Sequence, residues 1–131
     1  MELLENREKP IGVFDSGVGG LTVMREIMRQ LPDEKIVYFG DTARVPYGSK
    51  SRETVVRYSE QIVRFLQTQQ VKAIVVACNT ASAYALDVLE ENTSLPIIDV
   101  VKPGAKTAVE TTKNGRVGVI GTEGTVGSGV Y

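Results

Sequence analysis

Residues Ala73–Glu91 read AIVVACNTASAYALDVLEE, and this stretch decides the fold. Ala73–Ala77 is a continuous apolar run too short for a helix of its own. Such a run predicts a strand covered on both faces, as in a parallel sheet. Cys78-Asn79-Thr80 follows as small polar punctuation, with Asn79-Thr80 offering an N-cap. From Ala81 to Glu91 the apolar positions change to helical spacing, with Tyr84/Ala85 and Val88/Leu89 facing inward.

The same strand-turn-helix unit recurs outward in both directions. Ile11–Phe14 predicts a first strand. It is followed by a Gly-rich turn and a helix carrying Leu21, Met24, Ile27/Met28 and Leu31 on one face, ended by Pro32-Asp33. Ile36–Phe39 predicts the second strand. After a polar loop, Val55, Tyr58/Ser59, Ile62 and Phe65/Leu66 line one face of a helix. Glu60 and Arg64 on its other face stand in the favourable i,i+4 order. Pro96–Val101 predicts a fourth strand. A helix from about Pro103 to Thr112 follows, with proline at a permitted first-turn position. Arg116–Gly121 predicts a fifth strand, with no helix after it. This alternation predicts an α/β fold: a doubly wound parallel sheet with helices on both faces.

Composition narrows the chemistry. The 131 residues are 42% apolar and 24% charged, ordinary for one compact domain. Fifteen basic and 16 acidic residues give a net charge of −1, which argues against a nucleic-acid partner. No apolar run reaches the roughly 20 residues of a membrane helix. The start, MELLENREKP, has no apolar signal core, so a cytoplasmic protein is expected. There is one cysteine and no histidine. An internal disulfide is therefore excluded. So are Ser–His–Asp and Cys–His arrangements, and zinc sites built on His and Cys, within this chain.

Ligands of open α/β sheets bind beyond the carboxyl ends of the strands. Asp15-Ser16-Gly17-Val18-Gly19-Gly20, Gly40-Asp41-Thr42, Cys78-Asn79-Thr80, Asp99 and Gly121-Thr122 fall at those ends. DSGVGG matches neither common nucleotide-binding glycine pattern. A tight turn exposing Asp15 and Ser16 is favoured over a phosphate cradle. A lone cysteine ending an apolar strand is as often an inert core residue as a reactive one. A helix start next to it would lower its pKa toward thiolate. Pro46-Tyr47-Gly48, with Lys50 and Arg52 nearby, is a plain turn or a binding loop. Asp99 reads as a cap with no assigned role.

Taken in order, IGVFDSGVGGL (Ile11–Leu21), GDTARVPYG (Gly40–Gly48) and VACNTAS (Val76–Ser82) make the chain resemble the glutamate racemases of the aspartate/glutamate racemase family. GTEGT at Gly121–Thr125 resembles the start of that family's second half. The resemblance runs from about Pro10 to Tyr131. It implies interconversion of L- and D-glutamate without pyridoxal phosphate or metal, supplying D-glutamate for peptidoglycan. It implies two cysteines on opposite faces of the substrate's α-carbon, with Cys78 as one of them. Asp15 matches the acidic residue assisting that cysteine. Ser16, Tyr47, Gly48, Asn79 and Thr80 match positions holding the substrate, and Thr122 and Thr125 are looser candidates.

The family's second cysteine lies in a segment absent here, so this chain is expected not to racemise glutamate alone. On the resemblance, residues 1–9 are an extension, 10–113 an incomplete first racemase domain, and 114–131 the start of a second. A homodimer is compatible with it. Three readings stay open beside it: an aspartate or hydantoin racemase relative, a non-catalytic anion- or nucleotide-binding module, and a purely structural fragment.

Overall fold

The computed structural model describes residues 1–131. Its elements, in chain order, are α1 (Glu2–Glu8), β1 (Ile11–Asp15), α2 (Leu21–Gln30), β2 (Ile36–Gly40), α3 (Arg52–Thr68), β3 (Ala73–Val76), α4 (Asn79–Asn92), β4 (Ile97–Asp99), α5 (Val101–Thr111) and α6 (Glu123–Gly127). The four strands form one parallel sheet in the order β2-β1-β3-β4.

Alternation along the strands divides the core in two. Phe14 stands beside Phe39 on β2 and Val76 on β3. It points with Ile74 and Val76 into the larger cluster, closed by Val55, Ile62 and Leu66 of α3 and Ala81, Ala85 and Leu89 of α4. Val13, one residue away and on the opposite face, joins Val75 and Ala77 against Val23 and Ile27 of α2. The period-two side-chain rule thus sends neighbouring residues to different helices. Buried Leu-, Ile- or Phe-sized side chains each contribute about 1.5–3 kcal/mol, so the α3/α4 face carries most of the stabilisation.

The α2 face is thinner. No residue of α2 is fully buried, and Leu21, Met28 and Leu31 are exposed. The apolar positions that pack are Val23 and Ile27. Between α2 and the start of α5 lies an open apolar groove of about 500 Å³, floored by Ile11, Ala73 and Val75.

Several expectations need correction. Residues 116–121 form no strand. Val117 and Val119 are half exposed and Ile120 wholly so. Their alternation is strand-like, but no strand lies beside them to complete a ladder, and an unpaired strand is not stable by itself. A short helix, α6, does follow. Thr122 caps it, its Oγ1 accepting the Thr125 amide at 3.3 Å.

Helix α4 starts at Asn79, earlier than the expected Ala81, and its N-cap is Cys78 rather than Asn79-Thr80. β4 is shorter than expected because the Asp99 carboxylate accepts the Val101 and Lys102 amides at 3.0 and 3.1 Å, which starts α5 at once. Glu60 accepts the Asn92 amide at 3.0 Å and makes no ion pair with Arg64. The first residues form helix α1, tied down where Lys72 Nζ donates to the Arg7 carbonyl at 2.8 Å.

No helix is long and apolar enough to cross a membrane.

Candidate functional site

The carboxyl ends of β1 and β3, neighbours in the sheet, bring Asp15, Ser16 and Cys78 together. They line a cavity of about 790 Å³ with Asn79, Thr80 and Thr122. The cavity is walled on its far side by α5 and residues 117–121.

Asp15 closes β1 and is 6% exposed. Its Oδ1 accepts the Ser16 amide and its Oδ2 the Gly20 amide, both at 2.7 Å. The Gly-rich turn therefore wraps the carboxylate in backbone donors. Gly20 must be small, since a Cβ there would stand 2.6 Å from Asp15 Cβ. Ser16 is left at the mouth of the turn, its hydroxyl 3.6 Å from Cys78 Sγ.

Cys78 is 5% exposed. Its sulfur accepts the Ala81 amide at 3.4 Å, so the thiol itself caps α4. The helix start was expected to lower its pKa. The net effect is the reverse: burial pushes the thiol up, and the nearby Asp15 charge adds to that, while the Ala81 amide and the Ser16 contacts pull the other way without prevailing. Desolvation of the thiolate outweighs the local donors.

Thr80, Thr122 and Thr125 form a triangle of hydroxyls. Thr80 and Thr122 are 2.8 Å apart, Thr122 and Thr125 3.1 Å, and Thr80 and Thr125 3.4 Å. This joins α6 to the start of α4. Asn79 Oδ1 accepts the Tyr131 hydroxyl at 2.5 Å.

Tyr47 and Gly48 do not line the cavity. Tyr47 is 1% exposed, a member of the α3/α4 core, and its hydroxyl donates to Asp41. Burial, together with that hydrogen bond, raises its pKa. Gly48 lies behind Thr122, where a Cβ would meet Thr122 Cβ at 2.3 Å. Its carbonyl accepts the Gly124 amide at 3.2 Å. Sequence reading assigned no role to Arg44, although it lies within the GDTARVPYG stretch, or to Tyr131; only the folded chain shows that they reach Asp41 and Asn79. No three Cys, Asp or Glu side chains converge as metal ligands would.

Arranged so, the site offers a single thiol, a carboxylate beside it, and hydroxyl and amide donors around a space open to a small polar molecule. That set suits proton transfer at a carbon next to a carboxylate.

Comparison with known proteins bears on this chemistry. The family model described as Asp/Glu/Hydantoin racemase matches residues 11–131. The glutamate racemase of Geobacter metallireducens is 60% identical over 123 residues, covering 94% of this chain and 46% of that protein. The crystal structure of a glutamate racemase isoform from Bacillus anthracis superposes with a TM-score of 0.92 at 53% identity, over 95% of this chain and 47% of that one. The glutamate racemase of Francisella tularensis, solved in complex with D-glutamate, gives a TM-score of 0.87 at 48% identity, again over 95% of this chain and 47% of that one. The chain thus spans about half the length of the relatives it matches.

Proposed function

The chain belongs to the Asp/Glu/Hydantoin racemase family, and from that premise we propose that it provides one half of a glutamate racemase site, with Cys78 as the proton-transfer group on one face of the substrate. The observation that carries this is the Cys78 thiol at the edge of the cavity, beside Asp15 and Ser16 and under the Asn79–Thr80 helix start. The glutamate racemase relatives at 53–60% identity support glutamate as the substrate, as does the D-glutamate bound by the Francisella relative.

In this reading the thiolate of Cys78 takes the α-proton. The electron pair left on the α-carbon is drained toward the adjacent carboxylate. A second thiol, outside these residues, then delivers a proton to the opposite face. Nothing is oxidised or reduced. The α-proton is weakly acidic, so fixed donors must stabilise the developing negative charge. Ser16 Oγ, Asn79 and Thr80 Oγ1 stand at the cavity for that task. A buried thiol with a raised pKa is a strong base once ionised, and a substrate ammonium would favour the thiolate by its charge. Asp15, fixed by two amides, orients the turn and assists the proton's movement. Tyr47 and Gly48 act from behind the wall. We place the start of a second domain near residue 114.

The test is to join residues 1–131 to the remaining half of the Geobacter relative and follow glutamate racemisation by circular dichroism. Cys78→Ser should lower the rate about 100- to 10,000-fold, the usual worth of a positioned acid/base. Retained activity in that variant would remove Cys78 from the chemistry. Activity on aspartate or a hydantoin in preference to glutamate would favour the sister activities of the family.

A further inference from the structure

The Asp41 side chain is 5% exposed at the end of β2, and its Oδ2 is the meeting point of two donors. Arg44 Nε donates to it at 2.7 Å, and the Tyr47 hydroxyl donates to the same oxygen. Arg44 is itself fixed. Its guanidinium lies 4.0 Å over the Tyr58 ring, and its Nη1 donates to Gln61 Oε1 at 2.5 Å. Both of those partners belong to α3.

With Asp41 buried and Arg44 partly so, the ion pair is a poor source of net stability, because removing charges from water offsets most of their attraction. An apolar pair of the same size would serve a merely structural role as well. What the pair provides is direction: one carboxylate oxygen fixes the tyrosine hydroxyl that anchors the following turn. That turn reaches the site at two places. Gly48 abuts Thr122 and accepts the Gly124 amide at 3.2 Å. Val45 Cγ1 stands 3.2 Å from where a Cβ on Gly17 would be, under the Ser16 turn. Thr122 in turn is 2.8 Å from Thr80.

We propose that Asp41 and Arg44 form a positioning clamp that fixes the Tyr47–Gly48 turn and, through Gly48, holds the Thr122–Thr80 hydroxyl pair at the cavity wall. Neither residue touches the cavity. Their effect on substrate passes through the turn, and that part of the inference rests on the racemase reading.

The test uses ¹⁵N-labelled chain with Asp41→Asn, Arg44→Met and Arg44→Lys. Arg57→Met is the control, since Arg57 also lies over Tyr58, at 5.6 Å, but does not reach Asp41. Asp41→Asn and Arg44→Met should shift the Gly48, Thr122 and Gly124 amide resonances while those of Ile74 and Val76 in the sheet stay put. Arg44→Lys should restore part of the shift, and Arg57→Met should leave all of them in place. In D₂O, the glutamate concentration giving half-maximal α-proton exchange should rise about tenfold, with the saturated rate changed less than about twofold. Unmoved Gly48 and Gly124 amides in a folded Arg44→Met variant overturn the clamp. So does a saturated rate that falls as far as the half-saturating concentration rises. Should Asp41→Asn fail to fold, Arg44→Met decides the matter. If the unmodified chain exchanges no glutamate proton, the racemase reading is in question while the amide shifts still decide the clamp.

Discussion

Ser16 and Cys78 are 62 positions apart in the chain, yet the thiol stands 3.6 Å from the serine hydroxyl. The adjacency of β1 and β3 makes this so. Asp15 ends one strand, and Cys78 lies two residues past the end of the other. The turn after Asp15 is folded back by two amide bonds to its carboxylate. The thiol is thereby placed between a carboxylate, which disfavours its ionisation, and a hydroxyl and an amide, which favour it. Burial tips the balance toward the neutral thiol.

Alkylation of Cys78 by iodoacetamide should therefore follow a pH profile with its midpoint above the ordinary thiol value of 9.0. Asp15→Asn removes one raising charge and should move that midpoint down. A profile centred below 8 would mean that the helix start dominates after all.

The same shift makes a stability prediction. A thiol whose folded pKa lies above its unfolded value binds its proton more tightly when folded. Its contribution is complete below the unfolded pKa and is lost as pH rises through the folded one. Tyr38 and Tyr47 are also raised, chiefly by burial, and act in the same sense. Urea midpoints should accordingly fall as pH rises above 9, and Cys78→Ala should flatten the first part of that fall. A stability that rises with pH in this range would contradict the burial account.

Ser59 sits at 0% exposure on the core face of α3, its Oγ with no hydrogen-bond partner. An unpaired buried hydroxyl costs about 1–3 kcal/mol. Ser59→Ala should leave stability unchanged or raise it by about 1 kcal/mol, whereas Leu66→Ala, in the same cluster, should lower it by about 2–5 kcal/mol. Thermal melts of the two variants check both signs.

Gly40 and Gly127 should respond in opposite ways to alanine. At Gly40 a Cβ would stand 2.4 Å from the Gly17 carbonyl oxygen, a backbone atom that cannot swing aside. That overpacking should cost about 1–3 kcal/mol and disturb the Ser16 turn. At Gly127, in α6, nothing lies within 4 Å, and alanine should add up to about 1 kcal/mol of helix propensity. Equal melting points for the two variants would count against the described packing of the β1 and β2 ends.

Most of the architecture was legible because its signals are local. Continuous apolar runs marked β1, β2 and β3, and helical spacing marked α3 and α4. Residues 116–121 misled because alternation records what a strand could bury, not whether a neighbouring strand is there to pair with it. α2 misled in part of its facing: Ile27 meets the sheet as expected, but Leu21 and Met28 of the same stripe are exposed and Val23 packs in their place. In the site, Asp15, Ser16, Cys78, Asn79 and Thr80 follow from strand ends alone. That Tyr47 turns its hydroxyl away to Asp41, and that burial outweighs the helix start at Cys78, depend on packing that no motif encodes.

The central claim is that Cys78 is a proton-transfer group facing one side of the substrate's α-carbon, and its most direct test is α-proton exchange of D- and L-glutamate, incubated separately with this chain in D₂O and followed by proton NMR. The account predicts loss of the α-proton signal for one enantiomer only, abolished by Cys78→Ser; exchange that persists undiminished in Cys78→Ser, or that proceeds equally with both enantiomers, would contradict it.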